Sequence, residues 1–123
     1  MWNLSVEQVQ KQSHELAKKK GWWPGYKSPD DIGRRNLAEA LALIHAEVSE
    51  ALEELRNCDG DKQWPSQTRQ DKTGKPLGLP IELADIIIRV ADMAEALGIN
   101  LSAAIIAKHA YNETRPNRHA RQF

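Results

Sequence analysis

Cysteine, long apolar runs and net charge are absent or nearly so in this chain of 123 residues. Its single cysteine, Cys58, excludes an intrachain disulfide and a cysteine-rich zinc site, and we interpret it as a free thiol in a reducing compartment. Seventeen basic residues balance seventeen acidic ones, which argues against a general binder of nucleic acids or membrane surfaces. No apolar run approaches the roughly 20 residues that span a bilayer, and the N-terminus lacks the apolar core of a signal peptide. The sequence therefore predicts a soluble, cytoplasmic protein.

The main pattern present in the sequence is helical periodicity, and neither a strand pattern nor an internal repeat is visible. Ser5 and Gln8 form the signature of a capping box, and glycines and prolines separate the periodic segments. In the second segment, apolar residues recur at i, i+4 and i+7, as on one face of a helix. The four predicted helices run from about Val6 to Lys20, Arg34 to Arg56, Pro80 to Gly98, and from Asn100 or Ser102 to near Pro116. One all-α domain over residues 1–123, built as a four-helix bundle, is the predicted fold.

The third predicted helix is apolar around most of its circumference, a property of buried helices. Three other short helices cannot cover it, so we expect the remainder to meet a second copy of the chain, most simply across a two-fold axis. Oligomerisation is thus expected to complete the core. A polar connection over about residues 57–79 joins the second and third helices, and such a length inside a compact domain is typical of a functional or flexible segment.

Two pairs of acidic residues stand at helical spacing. Glu47 and Glu50 lie on the second predicted helix, and Glu82 and Asp85 lie on the third. Each pair is spaced i, i+3, which places both carboxylates on one side of the helix. Carboxylates in a nearly all-apolar helix are unfavourable unless their charge is compensated, and a hard divalent cation would compensate it. The alternative is a solvated acidic face, with a salt bridge from Asp85 to Arg89; for the first pair alone, the two interpretations are equally good.

A helical projection places the acidic pairs at the margins of the apolar stripes. Glu54 joins the first pair there, and Arg89 and Asp92 continue the polar line beyond Asp85. If the two helices pack antiparallel, four carboxylates converge, and carboxylate oxygens with water and substrate phosphates suit Mg²⁺. Bundle sites for iron use Glu-x-x-His pairs. Because neither pair here has histidine at its fourth position, we discount a di-iron centre.

A third pattern lies towards the C-terminal end. One face of the fourth predicted helix turns from apolar to polar and cationic, through Leu101, Ile105, Lys108, Asn112 and Arg115. Lys108 and Arg115 can neutralise phosphates that share the metal site, and arginine can bind them bidentately. The alternative is a helix end whose cations complement the helix dipole.

The order of these motifs resembles the MazG-like all-α nucleoside triphosphate pyrophosphohydrolases. The matching elements are E-x-x-E on one helix, E-x-x-D on a second, and K-x-x-x-N-x-x-R-P-x-x-H after them, ending at His119. The tripeptide R-N-L at 35–37 also matches the family's lead-in to the first motif. The chain departs from the family at Ala46, where many members have Glu, at Ala120, where Gly is common, and in its longer connection between the acidic helices.

This resemblance implies an Mg²⁺-dependent enzyme, with Mn²⁺ as a substitute, that cleaves a nucleoside triphosphate between its α- and β-phosphates. It implies a homodimer or homotetramer, metal ligation by Glu47, Glu50, Glu82 and Asp85, and phosphate binding by Lys108, Asn112 and Arg115. Glu47 or Glu50 would orient the attacking water as a base. Two other interpretations stay open. One is phosphoribosyl-ATP pyrophosphohydrolase, which shares the motif order; the other is a non-catalytic helical dimerisation module, which would not need acidic residues at the inward border of two helices.

Tryptophans offer a surface on which a nucleobase can stack, since every base has a π-face. Trp22 and Trp23 follow the first predicted helix and Trp64 lies in the long connection; the alternative role for each is to close a small core. The remaining helical histidines are interpreted as residues of helix surfaces or edges: His14, His45 and His109.

Overall fold

The computed structural model describes residues 3–57 and 66–116 of the chain. Its helices are α1 (Val6–Lys19), α2 (Arg34–Arg56), α3 (Leu79–Ala96) and α4 (Leu101–Thr114), and a short 3₁₀ turn at Pro29–Asp31 lies between α1 and α2. The all-α prediction is confirmed, and the helix ends lie close to those predicted. Four residues named above lie outside the described ranges: Cys58, Trp64, His119 and Ala120.

Local sequence explains where the helices begin. At α1 the capping box forms as predicted, since Gln8 N donates to Ser5 Oγ at 3.1 Å and Ser5 N donates to Gln8 Oε1 at 2.8 Å. The Asn100 side chain caps α4 by accepting a first-turn backbone N–H at 3.0 Å. Before α3, Gly78 has a φ of 120°, and a Cβ there would lie 2.8 Å from the carbonyl oxygen of Gln67. Glycine is therefore required at this entry to the helix.

Helix α3 lies at the centre, with α1 and α2 packed against it. Gln10 of α1 donates to the Ile99 carbonyl just beyond the end of α3, whereas the later His14 bonds the earlier Asp92, so these two helices run in opposite directions. Along α2, Glu50 neighbours Glu82, whereas the earlier Glu47 bonds the later Arg89. The pairing of α2 with α3 is therefore antiparallel too, as the predicted convergence of carboxylates requires.

The buried apolar core consists of small residues: Ala17, Ala51, Ala91, Ala94 and Ala96. Small side chains at a contact allow helix axes to approach closely. Larger apolar side chains on α3 stay at the surface, and Leu83, Ile87 and Ile88 are between 44% and 61% exposed. One protomer therefore leaves part of α3 uncovered, as expected, while the partner that would cover it stays a prediction.

Helix α4 projects away from this arrangement. Its main contacts are with α1, where Leu101 N donates to Gln10 Oε1 at 3.3 Å, and its Ile105 and Ile106 side chains are exposed. Over residues 3–57 and 66–116, no single helix has the length and apolar character needed to cross a membrane; α3 and α4 meet that test of length and composition only as a pair, bent by 112°.

A β-hairpin, which the sequence pattern did not predict, precedes α3. Strands β1 (Arg69–Gln70) and β2 (Pro76–Leu77) pair antiparallel. The turn between them is held by the Asp71 carboxylate, which accepts two backbone N–H groups at 2.8 and 3.1 Å. The guanidinium of Arg69 donates two hydrogen bonds to the Glu54 carboxylate at 2.9 and 3.2 Å, which fastens the hairpin to the end of α2. The expectation of no strands was wrong here because two-residue strands carry no readable alternation.

Candidate metal centre

Three of the predicted carboxylates form a cluster where α2 crosses α3. Glu47, Glu82 and Asp85 each offer one oxygen, and these atoms lie within 4.8 Å of one another. Glu47 is buried and the other two are half-buried. Glu47 Oε2 and Glu82 Oε2 are buried and have no hydrogen-bond partner. Because an unpartnered buried carboxylate oxygen is costly, and oxygen is the donor that hard divalent cations prefer, the cluster fits a bound cation.

Helical geometry and one small residue bring these carboxylates together. The i, i+3 spacing puts Glu82 and Asp85 on one side of α3, as predicted. Ala51, one turn beyond Glu47 on α2, is buried, and its short side chain leaves α3 room to approach. The hairpin ends at Gly78, so the chain enters α3 with Glu82 in the first turn.

The electrostatics of the cluster oppose its ionisation in the absence of a cation. Burial raises the pKa of Glu82 above its usual value, and the nearby charges of Glu50, Asp85 and Glu47 raise it further. Burial and then the charge of Glu47 raise the pKa of Asp85, while Arg89 and Lys75 partly offset that rise. A cation bound among these oxygens would remove both the repulsion and the desolvation cost.

Glu50, the fourth predicted ligand, lies at the edge of the cluster. Its side chain is exposed, and it is not one of the three residues whose oxygens converge. Its charge nevertheless lies near enough to Glu82 to raise the pKa of that carboxyl. The structure thus brings all four acidic residues into one neighbourhood, with three as a compact set and the fourth at its solvent side.

Arg89 is a cation of this neighbourhood, and its hydrogen-bond partner is not Asp85, with which the alternative interpretation paired it. Arg89 Nε donates to Glu47 Oε1 at 2.6 Å, so its hydrogen bond crosses to α2 and does not go to Asp85 on its own helix. The sequence placed Arg89 on the polar line of α3 but gave it no role at the site. Only the distance between α2 and α3 decides between the two acceptors.

A cleft of about 450 Å³ opens beside Arg89. It is lined by the loop after α1, the first half of α2 and the middle of α3, through Trp22, Trp23, Pro24, Asn36, Glu39, Ala40, Leu43, Arg89 and Asp92. The two tryptophans differ in attachment. Trp23 Nε1 donates to both oxygens of Asp92 at 2.9 and 3.0 Å, whereas the Trp22 side chain is 64% exposed. Trp23 is therefore fixed as a wall, and Trp22 presents an accessible ring.

His14, which was predicted to lie on a helix surface or edge, is buried behind this wall. It is only 4% exposed, its Nδ1 lies 2.8 Å from Asp92 Oδ1, and its ring meets Tyr26 edge-on at 4.9 Å between centroids. The inward face of α1 carries Gln10, His14 and Ala17 at i, i+4 and i+7, a helical spacing with two polar members. Apolar periodicity does not reveal such a face, because two of its three residues are polar, although their spacing is helical.

The predicted phosphate-binding residues are not brought to the cluster within one protomer. Lys108, Asn112 and Arg115 are exposed on or just after α4, whose main contacts are with α1. The Lys108 ammonium lies 4.9 Å from the ring centre of Tyr111. Among the described residues, the charges that shift the pKa values of Glu82 and Asp85 come from α2, α3 and the hairpin, and none comes from α4.

A scan against protein-family models finds no match for this chain, and a search of curated proteins finds no relative. Function is therefore inferred from the residues themselves. An all-oxygen acidic cluster can hold a divalent cation, and the adjoining cleft combines a guanidinium with an accessible indole. Together these groups suit a ligand that has phosphates at one end and a flat ring at the other.

Proposed function

We propose that this chain is an Mg²⁺-dependent nucleotide pyrophosphohydrolase that cleaves a (deoxy)nucleoside triphosphate between the α- and β-phosphates. The products would be the (deoxy)nucleoside monophosphate and pyrophosphate. The observation that carries the proposal is the convergence of three carboxylates within 4.8 Å, two of them with a buried, unpartnered oxygen. The motif order that resembles the MazG-like enzymes supports the same activity.

Glu47, Glu82 and Asp85 would hold the cation, and Glu50, the fourth residue of the predicted set, lies at the solvent side of these three. Mg²⁺, or Mn²⁺ in its place, would polarise the phosphate oxygens and the attacking water when bound. The protein itself must supply an arrangement of negative oxygens that is stable only with a cation present. The raised pKa values of Glu82 and Asp85 are consistent with that requirement.

Glu50 is the better candidate for the general base. One oxygen of Glu47 already accepts a hydrogen bond from Arg89 at 2.6 Å, and Glu47 is also one of the three converging ligands. Glu50 is exposed, so a water molecule can reach it. As the water oxygen bonds to the α-phosphorus, its proton would pass to the Glu50 carboxylate. The bond from the α-phosphorus to the bridging oxygen would break, and pyrophosphate would leave with the electron pair.

The nucleoside end of the substrate would occupy the cleft. Trp22 offers an exposed ring there, and base stacking on an aromatic side chain contributes about 1–3 kcal/mol. Trp23 was an equal candidate by sequence, but its indole N–H is committed to Asp92. We therefore assign stacking to Trp22 and a supporting role to Trp23.

The role proposed for α4 requires a second copy of the chain. Lys108, Asn112 and Arg115 lie apart from the acidic cluster of their own protomer. Exposed apolar residues on α3 and α4 provide surface for self-association. A homodimer or homotetramer in which α4 of one copy approaches the cluster of another would bring these side chains to the substrate phosphates.

Pyrophosphate release tests the proposed activity. The chain is incubated with Mg²⁺ and with each nucleoside triphosphate, each deoxynucleoside triphosphate, and phosphoribosyl-ATP. We expect turnover of at least one triphosphate, with one monophosphate formed per pyrophosphate. Glu82→Gln should abolish it, while Glu53→Gln, which removes an exposed glutamate paired with Arg56, should not. Turnover of phosphoribosyl-ATP alone would move the assignment to that enzyme, and a folded chain inactive on every substrate would support a non-catalytic module.

A further inference from the structure

Arg89 stands at the junction of the acidic cluster and the cleft. It lies one helical turn after Asp85 on α3, its Nε donates to Glu47 Oε1 at 2.6 Å, and its side chain lines the cleft that Trp22 borders. Among the described residues it makes no other hydrogen bond. The N–H groups on its two terminal nitrogens therefore remain available to a ligand.

The two ends of this ion pair differ in environment. The Glu47 side chain is 10% exposed, whereas the Arg89 side chain is 39% exposed. A cation that served only to neutralise Glu47 would gain nothing from such access to the cleft. The exposed edge of a guanidinium presents parallel N–H donors, a geometry that matches two oxygens of a phosphate.

An anion near this cluster needs such a cation. The carboxylates of Glu47, Glu82 and Asp85 repel phosphate oxygens, and burial reduces the screening of that repulsion. Lys75 influences the Asp85 side of the cluster, but it does not line the cleft. Among the described residues that line the cleft, Arg89 is the only one with a cationic side chain.

We propose that Arg89 binds the phosphate nearest the nucleoside while its Nε keeps Glu47 oriented. The ligand class is a nucleotide phosphate, an assignment that rests on the proposed function. The position follows from the layout, since Arg89 separates the ring-binding cleft from the metal cluster. Arg89 therefore recognises the substrate and also links its binding to a metal-ligating carboxylate.

This dual role predicts two effects of opposite sign. Without Arg89, the nucleotide loses a charge-assisted, two-point contact and binds more weakly. The metal, in contrast, binds more tightly, because Glu47 Oε1 loses its competing partner and the cluster gains net negative charge. If Arg89 only neutralised Glu47, its loss would change metal affinity and stability. The contribution of the phosphate to nucleotide affinity would stay unchanged.

The test compares ligands with and without the phosphate. Calorimetry measures the binding of the four deoxynucleoside monophosphates and their parent deoxynucleosides to the full chain and to Arg89→Gln, Arg89→Lys and Arg56→Gln. The last variant removes an exposed arginine paired with Glu53 and serves as the matched control. Binding of Mn²⁺ alone is followed by electron paramagnetic resonance on the same samples.

We expect the phosphate to increase affinity at least about tenfold in the unmodified chain, a size typical of a hydrogen bond to a charged group. Arg89→Gln should reduce this phosphate increment, the gain in affinity of nucleotide over nucleoside, to about twofold or less. It should leave nucleoside affinity unchanged and tighten Mn²⁺ binding. Arg89→Lys should retain part of the phosphate increment. Arg56→Gln should match the unmodified chain.

An undiminished phosphate increment in Arg89→Gln would overturn this inference, and so would its absence from the unmodified chain. Should Arg89→Gln fail to fold, Arg89→Lys decides alone: an increment equal to that of the unmodified chain would contradict two-point binding. The two proposals fail separately. Hydrolysis with a phosphate increment independent of Arg89 would leave only the enzyme assignment standing, whereas Arg89-dependent monophosphate binding without hydrolysis would leave only the binding site.

Discussion

The two contacts of α3 use polar residues in opposite ways. Against α1, most donors meet acceptors: the imidazole of His14 and the indole of Trp23 both bond Asp92, and Gln10 bonds the backbone oxygen of Ile99 at 2.8 Å. The second ring nitrogen of His14, Nε2, is buried without a partner. Against α2, carboxylates meet carboxylates; Arg89 donates to Glu47 across the contact, yet two buried carboxylate oxygens have no partner. A stable fold favours the first pattern, whereas the second is favourable only when a cation is bound.

The two sides of α3 therefore differ in their expected role, with stability of the fold on one side and the candidate site on the other. The α1 contact holds α3 in place and fixes Trp23 through Asp92. The α2 contact forms the acidic cluster, which does not stabilise the fold unless a cation is bound. Substitutions on the two sides should therefore produce different phenotypes, with lost stability on the α1 side and lost activity on the α2 side.

The largest effect is expected from Glu82→Gln, on the α2 side. Loss of a ligand charge should lower kcat/KM at least about hundredfold, roughly 2.7 kcal/mol of transition-state stabilisation. Metal-free stability should stay the same or increase, because repulsion among the carboxylates is relieved. Pyrophosphate release and urea unfolding measure the two quantities. Full activity in this variant would remove Glu82 from the metal site.

Asp92→Ala should show the reverse pattern, on the α1 side. It leaves His14 Nδ1 and Trp23 Nε1 without their shared acceptor, and a buried unsatisfied polar group costs about 1–3 kcal/mol. We expect the free energy of unfolding to fall by about 2–4 kcal/mol, allowing for both groups. Mn²⁺ binding by the folded fraction should change little. An unfolding free energy within about 0.5 kcal/mol of the unmodified chain, the usual range for surface sites, would show that this network is not structural.

The two tryptophans extend the comparison to the cleft. Trp22→Ala should raise KM about tenfold without loss of stability, since its ring is exposed and stacking on a base contributes about 1–3 kcal/mol. Trp23→Ala should lower the midpoint of urea unfolding instead, because its indole contacts Asp92 and packs near His14. Equal changes in KM from the two substitutions would contradict this division of roles.

The pH dependence should follow the acidic cluster. The folded-state pKa values of Glu82 and Asp85 lie above the ordinary values of 4.5 and 3.8. Their contribution to metal-free stability is therefore fully present below those values and is lost as pH rises through the raised pKa values. Protons compete with the cation for these oxygens, so Mg²⁺ affinity should decrease as pH is lowered from neutrality towards 5. Metal titrations across this range check the direction, and Glu82→Gln should flatten the dependence.

Much of the fold could be predicted from the sequence because its determinants are local. Ser5 and Gln8 form a cap whatever the rest of the chain does, and the i, i+3 spacing places Glu82 beside Asp85 in any helix. Contacts and burial that depend on the distance between helices could not be predicted. The preference of Arg89 for Glu47 over Asp85 is one example. The burial of His14 is another, since its only signal was a polar residue on an inward helical face.

The position of α4 could not be predicted for a further reason, because no local signal in the sequence specifies which helix it packs against. The Arg115 backbone is extended, with a ψ of 142°, as expected for a residue before proline. The predicted binding of substrate phosphates by Arg115 requires α4 to lie near an acidic cluster. In the described structure α4 packs chiefly on α1, so the predicted four-helix bundle completed by oligomerisation stays a prediction.

The smallest effect is expected on α4. Here a contact with the cluster of the same protomer can be distinguished directly from a contact with the cluster of a second copy. Arg115→Ala alone should lower kcat/KM by several-fold, about 1 kcal/mol, with Mg²⁺ affinity unchanged. If Arg115 acts on the cluster of a second copy, mixing inactive Glu82→Gln subunits with Arg115→Ala subunits creates intact sites in the mixed dimers. In a dimer, random exchange at equal ratio would restore about one intact site in four, so activity should rise above the average of the separate variants. Activity equal to that average, with subunit exchange verified by light scattering and mass spectrometry, would assign Arg115 to the surface of its own protomer.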